Sequence, residues 1–369
     1  MRAICTAVNK IFPLPILLCL VFCAMPTCAA FINGQNYVSL ADWARGNGLN
    51  GYTLNRGDQI ILTNSATRLV FEVDSTQSQI NGVNVRLSFP VAKDKGVPLI
   101  AQFDLDKTVR PLLSPSRYIE PKKITTICLD PGHGGKDSGN RVAGFFWHDE
   151  KTYTLALAFE LRDQLKQAGF NVILTRNSDT FVELPARPAV ANRARADLFV
   201  SLHFNAAQTD KDEVQGPETY CITPVGANSS NASVEGSEYG KATGTGPTTA
   251  NRNEQKSLLF AYQIQKSLVQ GLNVNDRSVR RARFAVLRDA AMPAILIEGG
   301  YMTNPTEGKK IYDAVWRRQL ASAIVKGILN YQKLTAPVVL PPVSPTNKIS
   351  AVKISATNAD KVSTAKQSP

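Results

Sequence analysis

The alternation of apolar runs and helical segments across residues 122–333 is the feature that most restricts how this chain can fold. Short apolar runs that end in turns predict the strands Ile124–Leu129, Asn171–Leu174, Asp197–Leu202, Glu218–Ile222, Phe284–Leu287 and Ala294–Ile297. Apolar residues at helical spacing predict the helices Glu150–Ala168, Pro185–Arg195, Glu254–Gly271 and Asp313–Tyr331. Strand–helix alternation predicts an α/β domain in which helices pack on both faces of a mostly parallel mixed sheet.

The regions that flank this domain have a different character. Residues 31–115 hold short β-type runs separated by turn signals, which predicts a small β-rich module with a short helix capped by Ser39. Residues 116–121 continue a proline-containing stretch and are predicted to be a linker. Residues 334–369 are rich in Pro, Ser, Thr and Lys and contain no aromatic residue, so they are predicted to be a disordered tail.

The N-terminus has the pattern of a secretory signal. Arg2 and Lys10 precede an apolar run of about 15 residues, which is shorter than the roughly 20 that a membrane-spanning helix needs. Small residues follow, and cleavage after Ala29 or Ala30 is expected. We therefore predict that residues 1–30 are a signal peptide and that the mature chain is exported, without a membrane span, to the periplasm, cell envelope or extracellular space.

Two cysteines, Cys128 and Cys221, remain after the predicted cleavage. Export to an oxidising compartment favours one disulfide between them. Both residues lie in apolar strand-like runs, however, which favours buried free thiols. The sequence leaves both alternatives open.

The charge of the chain limits the choice of partner. There are 42 basic and 30 acidic residues, which gives a formal net charge of +12. The excess is spread along the chain, and no run of Lys and Arg is interleaved with aromatic residues, so nucleic acid is not expected as a partner. The densest basic cluster, Arg280 to Arg283, is interpreted as a solvated face. For an exported protein, this balance favours anionic polymers of the cell envelope.

Two histidines and one glutamate lie where an α/β sheet places its functional sites. His133 lies in a glycine-rich turn after the first predicted strand, and His203 follows the strand Asp197–Leu202. Glu150 begins the helix reached from that first strand. Since sites form in the crevice outside the carboxyl ends of parallel strands, we expect these three side chains to meet there. Together they form a three-ligand zinc set that leaves one coordination position for water.

A second glutamate is expected beside these ligands. Glu298 ends the apolar strand Ala294–Ile297, where an unpartnered carboxylate is costly to bury. Next to a metal it would have a partner and could act as the general base for the attacking water.

Five motifs in order and spacing identify a family resemblance. They are Leu129-Asp130-Pro131-Gly132-His133-Gly134-Gly135, Glu150-Lys151, Arg187 with Ala191-Asn192, the run from Ala196 to Ala206, and the run from Met292 to Glu298. Through them residues 124–331 resemble the zinc-dependent N-acetylmuramoyl-L-alanine amidases of the type-3 cell-wall family. The resemblance marks residues 122–333 as the catalytic domain of a zinc-dependent amide hydrolase that acts on peptidoglycan.

The resemblance also implies roles for individual residues. His133, Glu150 and His203 would bind one Zn²⁺, and Glu298 would be the catalytic glutamate. Asn205 and Arg187 match positions that would bind substrate or brace the metal ligands. His148 matches no ligand of the family and is interpreted as a surface residue or a neighbour of the ligands. The scissile bond would be the amide between N-acetylmuramic acid and L-alanine.

Other functions stay open at this stage. The same ligands would suit a zinc peptidase or deacetylase acting on another wall substrate, and a protein with a dead site would only bind the wall. The resemblance also leaves room for a protein activator.

Two parts of the chain depart from the family or go beyond it. Some relatives carry an apolar inhibitory helix where this chain has a polar, glycine-rich loop from Pro224 to Asn253, and deleting residues 226–250 is therefore expected to leave activity nearly unchanged. Residues 31–115 faintly resemble the stalk domains that are similar to copper amine oxidase N-terminal domains, which suggests a spacer or wall-targeting module.

Overall fold

The computed structural model describes residues 30–54, 58–144, 147–230 and 244–336. These described residues form one compact unit. Residues 1–29 of the predicted signal peptide (residues 1–30) and residues 337–369 of the predicted tail (residues 334–369) lie outside the described residues.

The strands fall into three groups along the chain. The first nine are β1 (Ala30–Ile32), β2 (Gln35–Ser39), β3 (Asn50–Leu54), β4 (Gln59–Thr63), β5 (Arg68–Glu72), β6 (Gln77–Ile80), β7 (Val83–Arg86), β8 (Ala92–Asp94) and β9 (Val97–Ala101). A two-stranded ribbon consists of β11 (Arg141–Val142) and β12 (His148–Asp149). The others are β10 (Thr126–Pro131), β13 (Asn171–Leu174), β14 (Leu198–Asn205), β15 (Glu218–Ile222), β16 (Val279–Ala282) and β17 (Ala294–Tyr301).

The helices alternate with strands in the second half of the chain. They are α1 (Leu40–Gly46), α2 (Gln102–Asp104), α3 (Arg110–Leu113), α4 (Glu150–Gln167), α5 (Ala186–Arg193), α6 (Glu254–Leu272), α7 (Ala285–Arg288), α8 (Pro305–Tyr312) and α9 (Ala314–Thr335). A π-helical turn joins α2 to α3. Among the described residues, no helix combines the length and apolar character needed to cross a membrane. Helix α9 continues two residues beyond the predicted end of the domain at residue 333.

The main sheet confirms the predicted fold class. Its strand order is β13-β10-β14-β17-β15-β16-β7-β6-β5-β4-β3. Strands β13, β10, β14 and β17 run parallel, β15 runs antiparallel to β17, and β16 runs parallel to β15. Helices α4, α6 and α9 bury one face through residues such as Leu129 and Ile297, whereas α5 and α7 bury the other face through residues such as Phe199 and Leu296.

The β-rich region predicted at residues 31–115 is present and extends this same sheet. Strand β7 pairs in parallel with β16 at Val85 and Val279, and the meander β7 to β3 continues outward from there. Asn84 donates two hydrogen bonds to Asp276 across the seam. As predicted, the Ser39 side chain caps α1. The sequence indicated a module but did not predict that its strands join the main sheet, and the domain boundaries stay a prediction.

The predicted strand Phe284–Leu287 is wrong. The strand in this region is β16, which ends at Ala282, and Ala285–Arg288 forms the short helix α7. The apolar run Phe284–Leu287 has the composition of a strand, which led to the wrong prediction. Strand β16 was not predicted because Arg280 and Arg281 interrupt its apolar pattern.

The interpretation of the basic cluster as a solvated face is also wrong. Arg281 is only 3% exposed and Arg283 only 2%. Arg281 donates to the backbone oxygen of Lys107, and Arg283 donates to the backbone oxygens of Pro224 and Gly246. These guanidinium groups therefore satisfy carbonyl groups inside the structure.

The two cysteines are buried free thiols. Cys128 lies on β10 and Cys221 on β15, three strand spacings apart in the sheet. That separation is about 14 Å, far beyond the Cα distance that a disulfide can bridge. Burial raises the pKa of the Cys128 thiol to about 12 and also raises the pKa of Cys221.

Candidate metal centre

Parallel pairing of three strands brings the predicted site residues to one edge of the sheet. His133 follows β10, His203 lies near the end of the neighbouring β14, and Glu298 lies opposite His203 on β17. Glu150 is the first residue of α4. The positive end of the helix dipole favours a carboxylate at that position.

His133, Glu150 and His203 form a buried group that can hold a metal ion. The distance is 3.1 Å from His133 Nε2 to Glu150 Oε2 and 3.0 Å from His203 Nδ1 to Glu150 Oε1. The two imidazole nitrogens are 3.2 Å apart. Tetrahedral ligands at zinc–nitrogen distances of about 2.0–2.1 Å lie roughly 3.3 Å from one another, so the donors are spaced as such a metal requires.

Two glycines permit this close packing. A Cβ atom on Gly132 would lie 2.2 Å from Cε1 of His203. A Cβ atom on Gly139 would lie 2.6 Å from Cδ2 of His133 and 2.7 Å from Oε2 of Glu150. His133 itself has a φ of 60°, a left-handed conformation that is uncommon outside glycine and is concentrated at functional sites.

Neighbouring polar groups hold the side chains of His133 and Glu150 in place. Asp137 Oδ2 lies 3.0 Å from His133 Nδ1, which directs the other ring nitrogen toward the group. The backbone and side-chain nitrogens of Asn140 both donate to Glu150 Oε2 at 3.0 Å. The backbone N–H of Phe204 donates to Glu150 Oε1 at 3.0 Å.

Two buried arginines stabilise the loop that carries His133. Arg187 donates to the backbone oxygens of Pro131 and His133 and pairs with Asp130 at 3.0 Å. Arg176 donates to the backbone oxygens of Pro131 and Gly132. Burial, followed by the nearby Arg187, lowers the pKa of Arg176 to about 10. Since Arg187 is only 1% exposed, its placement favours the bracing role over substrate binding.

The charge states suit metal binding. Burial alone would raise the pKa of Glu150, but the adjacent His133 and His203 outweigh that effect and hold its pKa well below the usual range. Burial is the main reason that the pKa of His203 is lowered, which favours neutral imidazole. Ionised carboxylate and neutral imidazole are the forms that bind metals.

A buried acidic pair adjoins the group. Glu218 on β15 lies opposite Glu298 on β17, so the two side chains share one face of the sheet. Glu218 accepts hydrogen bonds from the hydroxyl groups of Tyr220 and Tyr301 and forms ion pairs with Arg277 and Arg280. Burial, followed by Glu218, raises the pKa of Tyr301, so this tyrosine stays protonated and continues to donate.

The other two candidates lie at the margin. Asn205 is half-buried at the end of β14, where its Oδ1 accepts from the backbone N–H of Ala206 at 2.8 Å. His148 stacks on Tyr312 with ring centroids 3.8 Å apart and hydrogen-bonds to Tyr153. The structure does not include His148 in the group of His133, Glu150 and His203.

Sequence reasoning missed four residues that support the site. Asp137 and Asn140 follow His133 within the same polar turn, which was a usable local signal for ligand-bracing residues. Arg176 and Glu218 reach the site only through tertiary contacts, and no local pattern marked them.

The fold and the site together define an α/β protein with a buried His-Glu-His group that can hold a metal ion at the carboxyl ends of its parallel strands. The family model for N-acetylmuramoyl-L-alanine amidase (Amidase_3) matches residues 127–330. The chain belongs to this amidase family.

Named relatives agree with this assignment. The chain is 33% identical to N-acetylmuramoyl-L-alanine amidase AmiC of Neisseria meningitidis serogroup B over 269 residues, which is 66% of this chain and 64% of that protein. It is 31% identical to AmiA of Escherichia coli K12 over 56% of this chain and 75% of that protein. Among solved structures, AmiC2 of Nostoc punctiforme is 31% identical with a TM-score of 0.46, covering 57% of this chain and 97% of that chain. The chain thus spans less than two thirds of the length of the Neisseria relative.

Proposed function

We propose that this protein is a zinc-dependent N-acetylmuramoyl-L-alanine amidase that cleaves the amide bond between N-acetylmuramic acid and L-alanine in peptidoglycan. The observation that carries the proposal is the buried group of His133, Glu150 and His203, with donor atoms 3.0–3.2 Å apart. Two imidazoles and one carboxylate are a ligand set typical of hydrolytic zinc sites, which keep one position open. Membership of the amidase family supports the same substrate.

Different residues of the site have different roles in the proposed hydrolysis. Zinc bound to the three ligands would supply Lewis acidity toward the amide carbonyl and the attacking water. Glu298, one strand from His203, accepts the proton of the water and passes it to the leaving amine of L-alanine. Asn205, at the end of the same strand as His203, contacts the substrate. Arg187 holds the loop of His133 in position rather than contacting the substrate.

The proposed site of action follows from the substrate. Peptidoglycan lies outside the cytoplasmic membrane, and the signal expected at residues 1–30 would export the chain to the periplasm, cell envelope or extracellular space. The dispersed positive charge suits an anionic wall. A protein activator stays a prediction.

Digestion of purified peptidoglycan tests the proposal. Wild type is expected to release new L-alanine amino groups, and a chelated sample is expected to lose this activity. Glu298→Gln should lower the rate by about 10²–10⁴-fold because the general base is lost. Glu72→Gln, which changes an exposed glutamate of strand β5, is the matched control.

The products separate the alternatives. Release of acetate instead of amino groups would identify a deacetylase, and binding without any product would identify a wall-binding protein. Undiminished hydrolysis in both Glu298→Gln and the chelated sample would contradict the proposed mechanism.

A further inference from the structure

A cavity of about 300 Å³ lies where the N-terminal β-rich region joins the main sheet. All of its lining residues have polar side chains. Three of these are arginines: Arg86 from β7, Arg277 from the turn before β16, and Arg280 from β16 itself. We call this cavity the arginine pocket.

The charges around the arginine pocket do not balance. Glu218 pairs with Arg277 at 3.0 Å and with Arg280 at 3.1 Å. The carboxylate of Asp276 accepts hydrogen bonds from the backbone N–H groups of Asn84 and Ser278 and from the side chain of Gln265. Three guanidinium groups therefore face two carboxylates, both of which already accept several hydrogen bonds.

Arg86 is the arginine that this arrangement leaves for a ligand. It donates to Thr76 Oγ1, a neutral acceptor, at 3.3 Å. In the part of the chain that the structure describes, no carboxylate lies within ion-pair distance of Arg86. Burial, followed by the repulsion of Arg280, lowers its pKa, as expected for a cation crowded by like charges. An incoming anion would relieve this repulsion.

Contacts connect the arginine pocket to the candidate metal centre. Glu298 and Glu218 lie side by side on neighbouring strands, and Glu218 binds two of the pocket arginines. From β17, which carries Glu298, to β7, which carries Arg86, there are three strand spacings, or about 14 Å. An extended peptide of four residues spans about the same distance, at 3.3–3.6 Å per residue.

We propose that the arginine pocket binds a carboxylate of the peptide stem whose first amide bond is cut at the metal centre. The inference rests on the proposed function. Stem peptides of peptidoglycan carry carboxylates beyond L-alanine, and the planar guanidinium group pairs with a carboxylate through two parallel hydrogen bonds. The N-terminal module thus contributes to substrate selection through Arg86, although it supplies no metal ligand.

The selectivity between two soluble muropeptides tests this proposal. One substrate carries free stem carboxylates, and the other is identical except that those carboxylates are amidated. In Arg86→Gln the ratio of kcat/KM for the free over the amidated substrate is expected to fall about 10-fold, or about 1.4 kcal/mol, through a higher KM for the free form. Arg68→Gln, which removes an exposed arginine from β5 of the same module, should keep the wild-type ratio.

Three results would overturn the proposal. The first is an unchanged ratio in Arg86→Gln. The second is an equal loss on both substrates together with a lower midpoint of thermal unfolding, which would show a structural role. The third is an unchanged kcat/KM ratio in Arg86→Gln together with weaker binding of this variant to a phosphate-rich wall polymer. That result would assign the pocket to a phosphate ligand.

Failure of the proposed function would be seen separately. If wild type cleaves neither muropeptide, the amidase proposal fails. Calorimetric titration with the free stem peptide then still decides on the pocket, because wild type should bind it more tightly than Arg86→Gln does. Equal affinities would refute the pocket whatever the outcome of the hydrolysis assay.

Discussion

The tight packing of Gly132 against the imidazole of His203 gives a direct test of the geometry of the candidate metal centre. A Cβ atom added at Gly132 would lie 2.2, 2.5 and 2.6 Å from Cε1, Nε2 and Nδ1 of His203. The backbone of Gly132 does not have a left-handed φ, so alanine can adopt its conformation and the effect is purely steric. Ordinary contacts begin near 3.4 Å, and the imidazole of His203 must therefore move by about 1 Å or more.

That displacement has two measurable effects. The displacement changes the distances from Nδ1 of His203 to Glu150 and His133. Loss of a contact that braces a ligand typically weakens metal binding 10–100-fold, and displacement of the ligand itself is expected to weaken it at least as much. Overpacking should also lower the free energy of unfolding by about 1–3 kcal/mol.

Zinc titration of the metal-free protein and denaturant unfolding measure these effects in Gly132→Ala. Gly271→Ala is the matched control, because its Cβ would meet only Ala323 at an ordinary 3.5 Å. Wild-type zinc affinity and peptidoglycan hydrolysis in Gly132→Ala would show that His203 does not bind the metal in the position described.

Three further predictions concern other parts of the chain. Asp137→Asn should weaken zinc binding 10–100-fold because His133 Nδ1 loses its carboxylate, and an unchanged zinc titration would contradict this. Burial raises the pKa of Asp104 to about 6, so the folded state holds this proton more tightly than the unfolded state does. The free energy of unfolding should therefore fall by about 2 kcal/mol from this group as pH rises from 4 to 6, and denaturant unfolding of Asp104→Asn should lack that decrease. Deleting residues 231–243 should leave hydrolysis nearly unchanged, since Ser230, the described residue that precedes them, hydrogen-bonds to Arg281 near the edge where β17 begins, away from His203. A large rise in activity would indicate inhibition.

The loop deletion is narrower than the 226–250 that the sequence suggests. Gly246 and Pro224 accept hydrogen bonds from the buried guanidinium of Arg283, and Ser230 exchanges hydrogen bonds with the backbone of Arg281. Removing these anchors would leave buried donors without partners and would confuse a stability defect with a change in regulation.

The sequence predicted the candidate metal ligands because their signals are local. A histidine after an apolar strand and a glutamate at the first turn of a helix can each be recognised within a few residues. The parallel pairing of β10 and β14 then follows from strand–helix alternation, and it brings His133 and His203 together. Glu150 was predictable for the same reason, since α4 starts from that edge.

Long-range polar contacts explain what the sequence could not predict. Arg187 can be buried because it pairs with Asp130, which lies 57 residues earlier in the chain. No local sequence pattern predicts this pairing. Strand β16 was missed because Arg280 and Arg281 broke the apolar pattern, although Glu218 pairs with Arg280 and the backbone oxygen of Lys107 accepts a hydrogen bond from Arg281. The arginine pocket could not be predicted from the sequence because Arg86 is almost 200 residues from Arg277 and Arg280 in the chain.

The pairing of β7 with β16 also determines where the chain can be divided. A fragment that starts after the predicted linker at residues 116–121 would keep the metal ligands but would expose the backbone N–H and C=O groups of β16 along an unprotected strand edge. Such edges recruit strands from other molecules. The isolated fragment should therefore self-associate, which light scattering would reveal. The N-terminal region thus protects the strand edge of the half that carries the candidate metal ligands.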